Sequence, residues 1–169
     1  MRKIKKSFLV ASIFLLGLPF EAWSQAPLAG TGLPLPRFVS IRSEEVNMRT
    51  GPGVRYPVDW VYHRKSMPVE VVNEFGTWRK VRDVRGGQGW IHQSMLSSRR
   101  TMVVTGQIRT IRKRADVKSP PLARVEPGAM GKLLQCPDGL GWCEVKIGDF
   151  KGWFRRVEFW GVYPKETLK

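Results

Sequence analysis

The sequence predicts an all-β protein built as two small barrels in tandem, and three observations predict it. Apolar and polar residues alternate over short stretches, as in Val46-Asn47-Met48-Arg49, which is the period of a half-buried strand. Glycine or proline breaks nearly every such stretch, as expected of many short strands joined by tight turns. The pattern also occurs twice. A gapless shift lays Pro57 on Pro121, Val58 on Leu122, Val61 on Val125, Val69 on Leu133, Trp78 on Trp142 and Val81 on Val145; after one residue is lost in a loop, Gly89-Trp90-Ile91 falls on Gly152-Trp153-Phe154.

The chain opens with basic Met1–Lys6, a short apolar run from Ser7 to Phe20, and Ala22-Trp23-Ser24, which offers small residues where a signal peptidase reads. This is the layout of a secretory signal over residues 1–24, with cleavage before Gln25. The alternative is retention as an uncleaved anchor. The apolar run is shorter than the roughly 20 residues that span a bilayer, and no later segment approaches that length. The mature chain is therefore expected to be exported, periplasmic or secreted, without a transmembrane segment. Residues 25–37 are rich in Pro and Gly and read as a linker.

The first barrel is expected over residues 38–97. Phe38–Ile41 makes an edge strand and Val46–Arg49 the next. Thr50-Gly51-Pro52-Gly53 then forces a tight turn, because glycine accepts backbone angles that other residues resist and proline fixes its own. Strands follow at Val58–Tyr62, Pro68–Asn73, Thr77–Asp83 and Gln88–Ile91, and His92–Leu96 forms a helical turn. So small a unit has little core, and Trp60, Trp78 and Trp90 are expected to enlarge it. The second barrel is expected over residues 101–164. Its front is divergent: Ile111–Arg114 is strand-like, but Ala115–Ser119 contains no Gly-Pro-Gly. The short junction Ser97–Arg100 suggests barrels packed against each other.

Asn47-x-Arg49-x-Gly51-Pro52-Gly53 followed by Tyr56-Pro57-Val58 resembles the opening of a bacterial SH3-like domain, and the chain is most similar to the exported form of that family with two tandem copies. The resemblance covers residues 38–163 and is clearer in the first copy. It implies two SH3-like β-barrels, each with a ligand groove between its long first loop and its later hairpin loops. Here that groove would hold Tyr56, Trp60, Tyr62 and Trp78 as an aromatic shelf, with Arg49 and Arg55 as anion-binding rims. The family also implies a non-catalytic adaptor that binds peptidoglycan or an envelope protein.

Charge and chemistry narrow the functions further. The formal net charge of +15 favours anionic partners, and cleavage of the leader would leave the chain strongly basic. Arg99 and Arg100, joined with Arg109, Arg112, Lys113 and Arg114, form a candidate basic patch near the junction for an anionic polymer or a protein partner. No recognition motif for specific nucleic-acid binding is present. His63 and His92 lie in the first copy and both cysteines in the second, so neither a Cys–His nucleophile nor a metal-ligand set is legible. No enzyme activity, metal or cofactor is expected. Cys136 and Cys143 flank Pro-Asp-Gly-Leu-Gly-Trp and fall on Val72 and Arg79 under the repeat, which places them across a hairpin within disulfide range. In an oxidising compartment a disulfide is the expected state, with free thiols as the alternative.

Overall fold

The structure is a computed structural model that describes residues 30–169; the expected signal segment and its cleavage point lie outside the described residues. The described chain is all-β and forms two seven-stranded antiparallel sheets of the same connectivity. The first contains β1 (Arg37–Ile41), β2 (Val46–Arg49), β3 (Val58–Tyr62), β4 (Pro68–Phe75), β5 (Trp78–Arg82), β6 (Gln88–His92) and β7 (Leu96–Ser97), in the order β3-β2-β6-β5-β4-β1-β7. The second contains β8 (Thr101–Val104), β9 (Arg109–Arg112), β10 (Pro121–Val125), β11 (Met130–Gln135), β12 (Trp142–Ile147), β13 (Phe150–Arg155) and β14 (Phe159–Trp160), in the order β10-β9-β13-β12-β11-β8-β14. A 3₁₀ turn, Gln93–Met95 or Arg156–Glu158, precedes the last strand of each. Each sheet curls into a barrel left open between its end strands, as the tandem SH3-like expectation requires.

Strand parity decides which residues form the cores. In β5 the inward positions are Arg79 and Val81, and in β6 they are Gly89 and Ile91. Trp78 and Trp90 therefore lie half-buried on the outer face, and Trp60 is exposed. This corrects the expectation that tryptophans enlarge the first core. Ile41, Val46, Met48, Tyr62, Val69, Val71, Val81, Ile91 and Leu96 fill it instead. Met48 reaches the centre because Gly89 faces it: a Cβ there would lie 2.5 Å from Met48 Cγ.

Backbone pairing also corrects the alignment of the two copies. Val46 opposes Tyr62 as Arg109 opposes Val125, so Val125 takes the place of Tyr62, not of Val61. Arg49 opposes Val58 and Trp90 as Arg112 opposes Pro121 and Trp153, so Arg112 is the counterpart of Arg49. Strand β9 accordingly starts at Arg109 and ends at Arg112, and Lys113 opens the loop. The first hairpin turns through Phe75–Trp78, the second through the longer Pro137–Trp142, and shorter loops elsewhere compensate. A gapless shift cannot register insertions that cancel.

The corrected register gives the disulfide a different counterpart. Cys136 and Cys143 are joined, with Cα atoms 4.2 Å apart. They occupy the places of Glu74 and Arg79, which oppose each other across the first hairpin. Glu74 Oε1 lies 3.1 Å from Arg79 Nε, and both side chains are almost completely buried. Arg79 also donates to the Gly76 and Trp78 carbonyls and to Gln93, while Glu74 accepts from Arg37 and from Thr31 Oγ. The last part of the expected linker is thus fastened to the first barrel through Thr31. In the second barrel the tail does the same: Leu168 pairs with Cys136 through both backbone groups.

The barrels meet at Phe38. Its ring lies 4.8 Å from Trp160, edge to face, and 4.7 Å from Tyr163, with the Arg100 guanidinium 5.7 Å above it. Tyr163 Oη donates to Glu70 across the junction at 2.8 Å, and Glu70 also accepts from Arg82. Burial alone would raise the Glu74 carboxyl, but the Arg37 guanidinium and Thr31 outweigh it and hold the group at about 2. A carboxylate depressed in the native state stabilises it above its ordinary range, and that contribution fades as pH falls toward the native value. Glu74→Gln should be clearly less stable than the parent at pH 6, by about 3–5 kcal/mol if Arg79 is left unpaired. The difference should shrink as pH drops from about 4.5 toward 2, as read by urea unfolding at stepped pH.

Candidate functional site

The long loop between β2 and β3 is held by Arg49. Its Nη1 donates to the Val54 carbonyl at 3.1 Å and the Tyr56 carbonyl at 2.8 Å, so it shapes the loop and is not a free rim. The Tyr56 ring lies directly on the turn: a Cβ on Gly51 would meet Tyr56 Cδ1 at 2.4 Å, which is why glycine stands there. Arg55 covers the other part of the ring, 5.3 Å from its centroid. Arg112 repeats the clamp in the second barrel by donating to the Ser119 carbonyl at 2.8 Å, although that loop lacks Gly-Pro-Gly.

Beyond this loop, β3 is the end strand of its sheet and carries Trp60, 54% exposed. Trp60 borders a groove of about 540 Å³ between the barrels. One wall follows β3 and the residues after it, from Trp60 to Arg64; the other comes from Val103, Pro127 and Met130 of the second barrel. Arg64 reaches across and donates to the Gly128 carbonyl at 3.3 Å, and Arg85 stands at the groove beside Asp83. Asp83 is occupied internally, accepting from Tyr62 Oη at 3.0 Å and from the Arg85 and Gly87 amides. Burial first, and then the adjacent Asp83 charge, push the Tyr62 phenol above its ordinary value and keep it neutral. The groove is thus an apolar channel with an aromatic lip and arginines beside it.

The six residues expected to line one groove, four as its aromatic shelf and two as its rims, are therefore divided. Trp60 and Tyr62 share the groove, but Tyr62 is only 4% exposed and belongs to the core. Arg49, Arg55 and Tyr56 build the loop. Trp78 lies on the opposite face of the sheet, edge-on to His92 at 5.4 Å. Arg64, Arg85 and the second-barrel wall were not legible as site residues, since nothing in the sequence says that β3 is an end strand facing the other copy.

The expected basic patch is also divided. Arg100 is committed to Glu166 and to the Gly161 carbonyl, so it fastens the tail beneath Phe38. Arg99 is exposed near Ser66 and Arg42. Arg109 and Arg112 face a pocket on the second barrel with Trp142, while Lys113 and Arg114 are exposed on its loop. Among the described residues no group of three or more His, Cys, Asp or Glu side chains is placed to hold a metal ion, and no helix is long and apolar enough to cross a membrane.

A family model for the bacterial SH3 domain matches residues 42–98 and again residues 106–161. Two solved structures are similar: NlpC1 from Trichomonas vaginalis, at 10% identity and TM-score 0.35, with 79% of this chain and 48% of that chain covered; and NlpC2 from the same organism, at 10% identity and TM-score 0.34, with 74% and 48% covered. This chain spans about half the length of either. Among curated proteins nothing matches it. Gly51→Ala should drive a methyl into the Tyr56 ring and loosen the whole β2–β3 loop, at a cost of about 1–3 kcal/mol. Faster amide exchange at Gly53 and Tyr56, whose backbone N–H groups are bonded within the loop, with β5 unaffected, is the expected signature.

Proposed function

Because the chain belongs to the bacterial SH3 domain family, we propose that it is an exported binding module of the cell envelope, without catalysis of its own, that engages peptidoglycan through the Trp60 face of the first barrel. Domains of this family generally serve binding, and the two copies account for most of the chain. The observation that carries the reading is the groove itself: a large exposed indole beside an apolar channel with Arg64 and Arg85 next to it. Wall stem peptides are extended, carry small apolar side chains and several carboxylates, and match an apolar channel with cationic margins. The disulfide is consistent with an oxidising compartment. The alternative, docking of a protein partner on a continuous basic surface at the junction, is less well supported because Arg100 is engaged internally.

The test is co-sedimentation of the chain from Gln25 onward with purified peptidoglycan at low and near-physiological salt. Groove binding should persist at the higher salt, and Trp60→Ala should weaken it about tenfold, as expected for an aromatic anchor worth ~1.4 kcal/mol. Unchanged sedimentation of a folded Trp60→Ala protein would remove the groove from the reading. Loss of all binding at near-physiological salt would assign the association to net charge alone.

A further inference from the structure

The second barrel carries a cluster of charge that the first lacks. Arg109 and Arg112 on β9 and Arg155 at the end of β13 surround a pocket of about 130 Å³ with Trp142 in its wall and Glu158 of the 3₁₀ turn as its acidic member. Glu158 Oε1 lies 3.9 Å from Nη1 of both Arg109 and Arg155, a limiting distance for either pair. Arg112 uses Nη1 on the Ser119 carbonyl. The Nε of Arg109 is buried and has no hydrogen-bond partner among the described residues. Three guanidinium groups against one carboxylate leave the pocket positive, and a buried unsatisfied donor is costly unless something completes it.

The same positions of the first barrel do not reproduce this. Val46 stands for Arg109, His92 for Arg155 and Met95 for Glu158, while Arg49 and Trp78 stand for Arg112 and Trp142. Two arginines and a glutamate therefore stand around a shared frame of one arginine and one tryptophan, and the first barrel forms the same sheet without them. Nearby Ile108 and Val117 are exposed, at 47% and 56%.

We propose that this pocket binds an oxyanion group, carboxylate or phosphate, borne on a ligand whose neighbouring atoms rest on Ile108 and Val117. The planar guanidinium fork suits either anion through paired charge-assisted hydrogen bonds. The volume admits the anionic group and a few adjoining atoms, not a whole sugar. The site shares no residue with the Trp60 groove and stands or falls independently of the wall-binding reading.

The test is a ¹⁵N NMR titration of the full chain at fixed ionic strength, reading the Arg109 and Arg155 Nε–H and the Trp142 indole N–H. The probes are inorganic phosphate, N-acetyl-alanyl-alanine with its free carboxylate, and the corresponding C-terminal amide. Saturable shifts with phosphate or the free acid are expected, with none from the amide. Arg109→Gln and Arg155→Gln should each weaken binding about tenfold or more, and Trp60→Ala should leave it unchanged. Arg155 is half exposed, so its variant keeps the test valid if the Arg109 variant folds poorly. Saturation by phosphate alone assigns a phosphate-bearing polymer, and saturation by the acid alone assigns a peptide carboxyl group. Absence of saturation with both, an equal response to the amide, or unchanged affinity in Arg155→Gln overturns the proposal.

Discussion

The packing of Phe38 against Trp160 and Tyr163 is the contact on which the rest of the architecture depends. Phe38 belongs to the first strand of one barrel, Trp160 to the last strand of the other, and Tyr163 to the tail beyond it. A few aromatic contacts would leave a hinge, but the polar partners remove that freedom. Tyr163 reaches Glu70, Glu70 is held by Arg82, and Arg100 ties Glu166 beneath the same ring. Burial and the Glu70 charge both disfavour ionisation of the Tyr163 phenol, so it remains a neutral donor. The junction Ser98–Arg100 can be short because the orientation is fixed by side chains, not by the connecting backbone.

The two barrels solve one mechanical problem in different chemistry. Close to the turn of each central hairpin the two strands must be held together. The first barrel uses a buried carboxylate and guanidinium, with Arg79 also donating to the Gly76 and Trp78 carbonyls and to Gln93. The second uses a covalent bond and needs no such network. The loop clamp was treated differently: Arg49 and Arg112 do the same work even though the glycines beneath the first loop are missing from the second. An arginine bonded to loop carbonyls constrains the backbone more generally than a particular turn sequence does.

Much of the fold was legible because period-two alternation and glycine breaks are local signals, and they locate β2, β3 and β6 to within a residue. Register was not legible, since the longer second hairpin is offset by shorter loops around it and a fixed shift passes over both. Exposure of the tryptophans was not legible for a related reason. Trp78 and Trp90 have the outward parity of their strands, whereas Trp60 has inward parity but lies on an end strand whose neighbour is the other barrel. The candidate groove depends on that last fact. Arg155 and Glu158 were equally silent in the sequence, because only the closure of the second barrel brings them to Arg109.

The groove beside Trp60 takes one wall from each barrel. Duplication usually yields two interchangeable parts, each of which can be moved into another protein with its function. Here neither copy could be transplanted with an intact groove, since each carries only half of it. The pair, together with the tail that supports Phe38, is therefore the smallest piece of this chain that carries both walls of the groove.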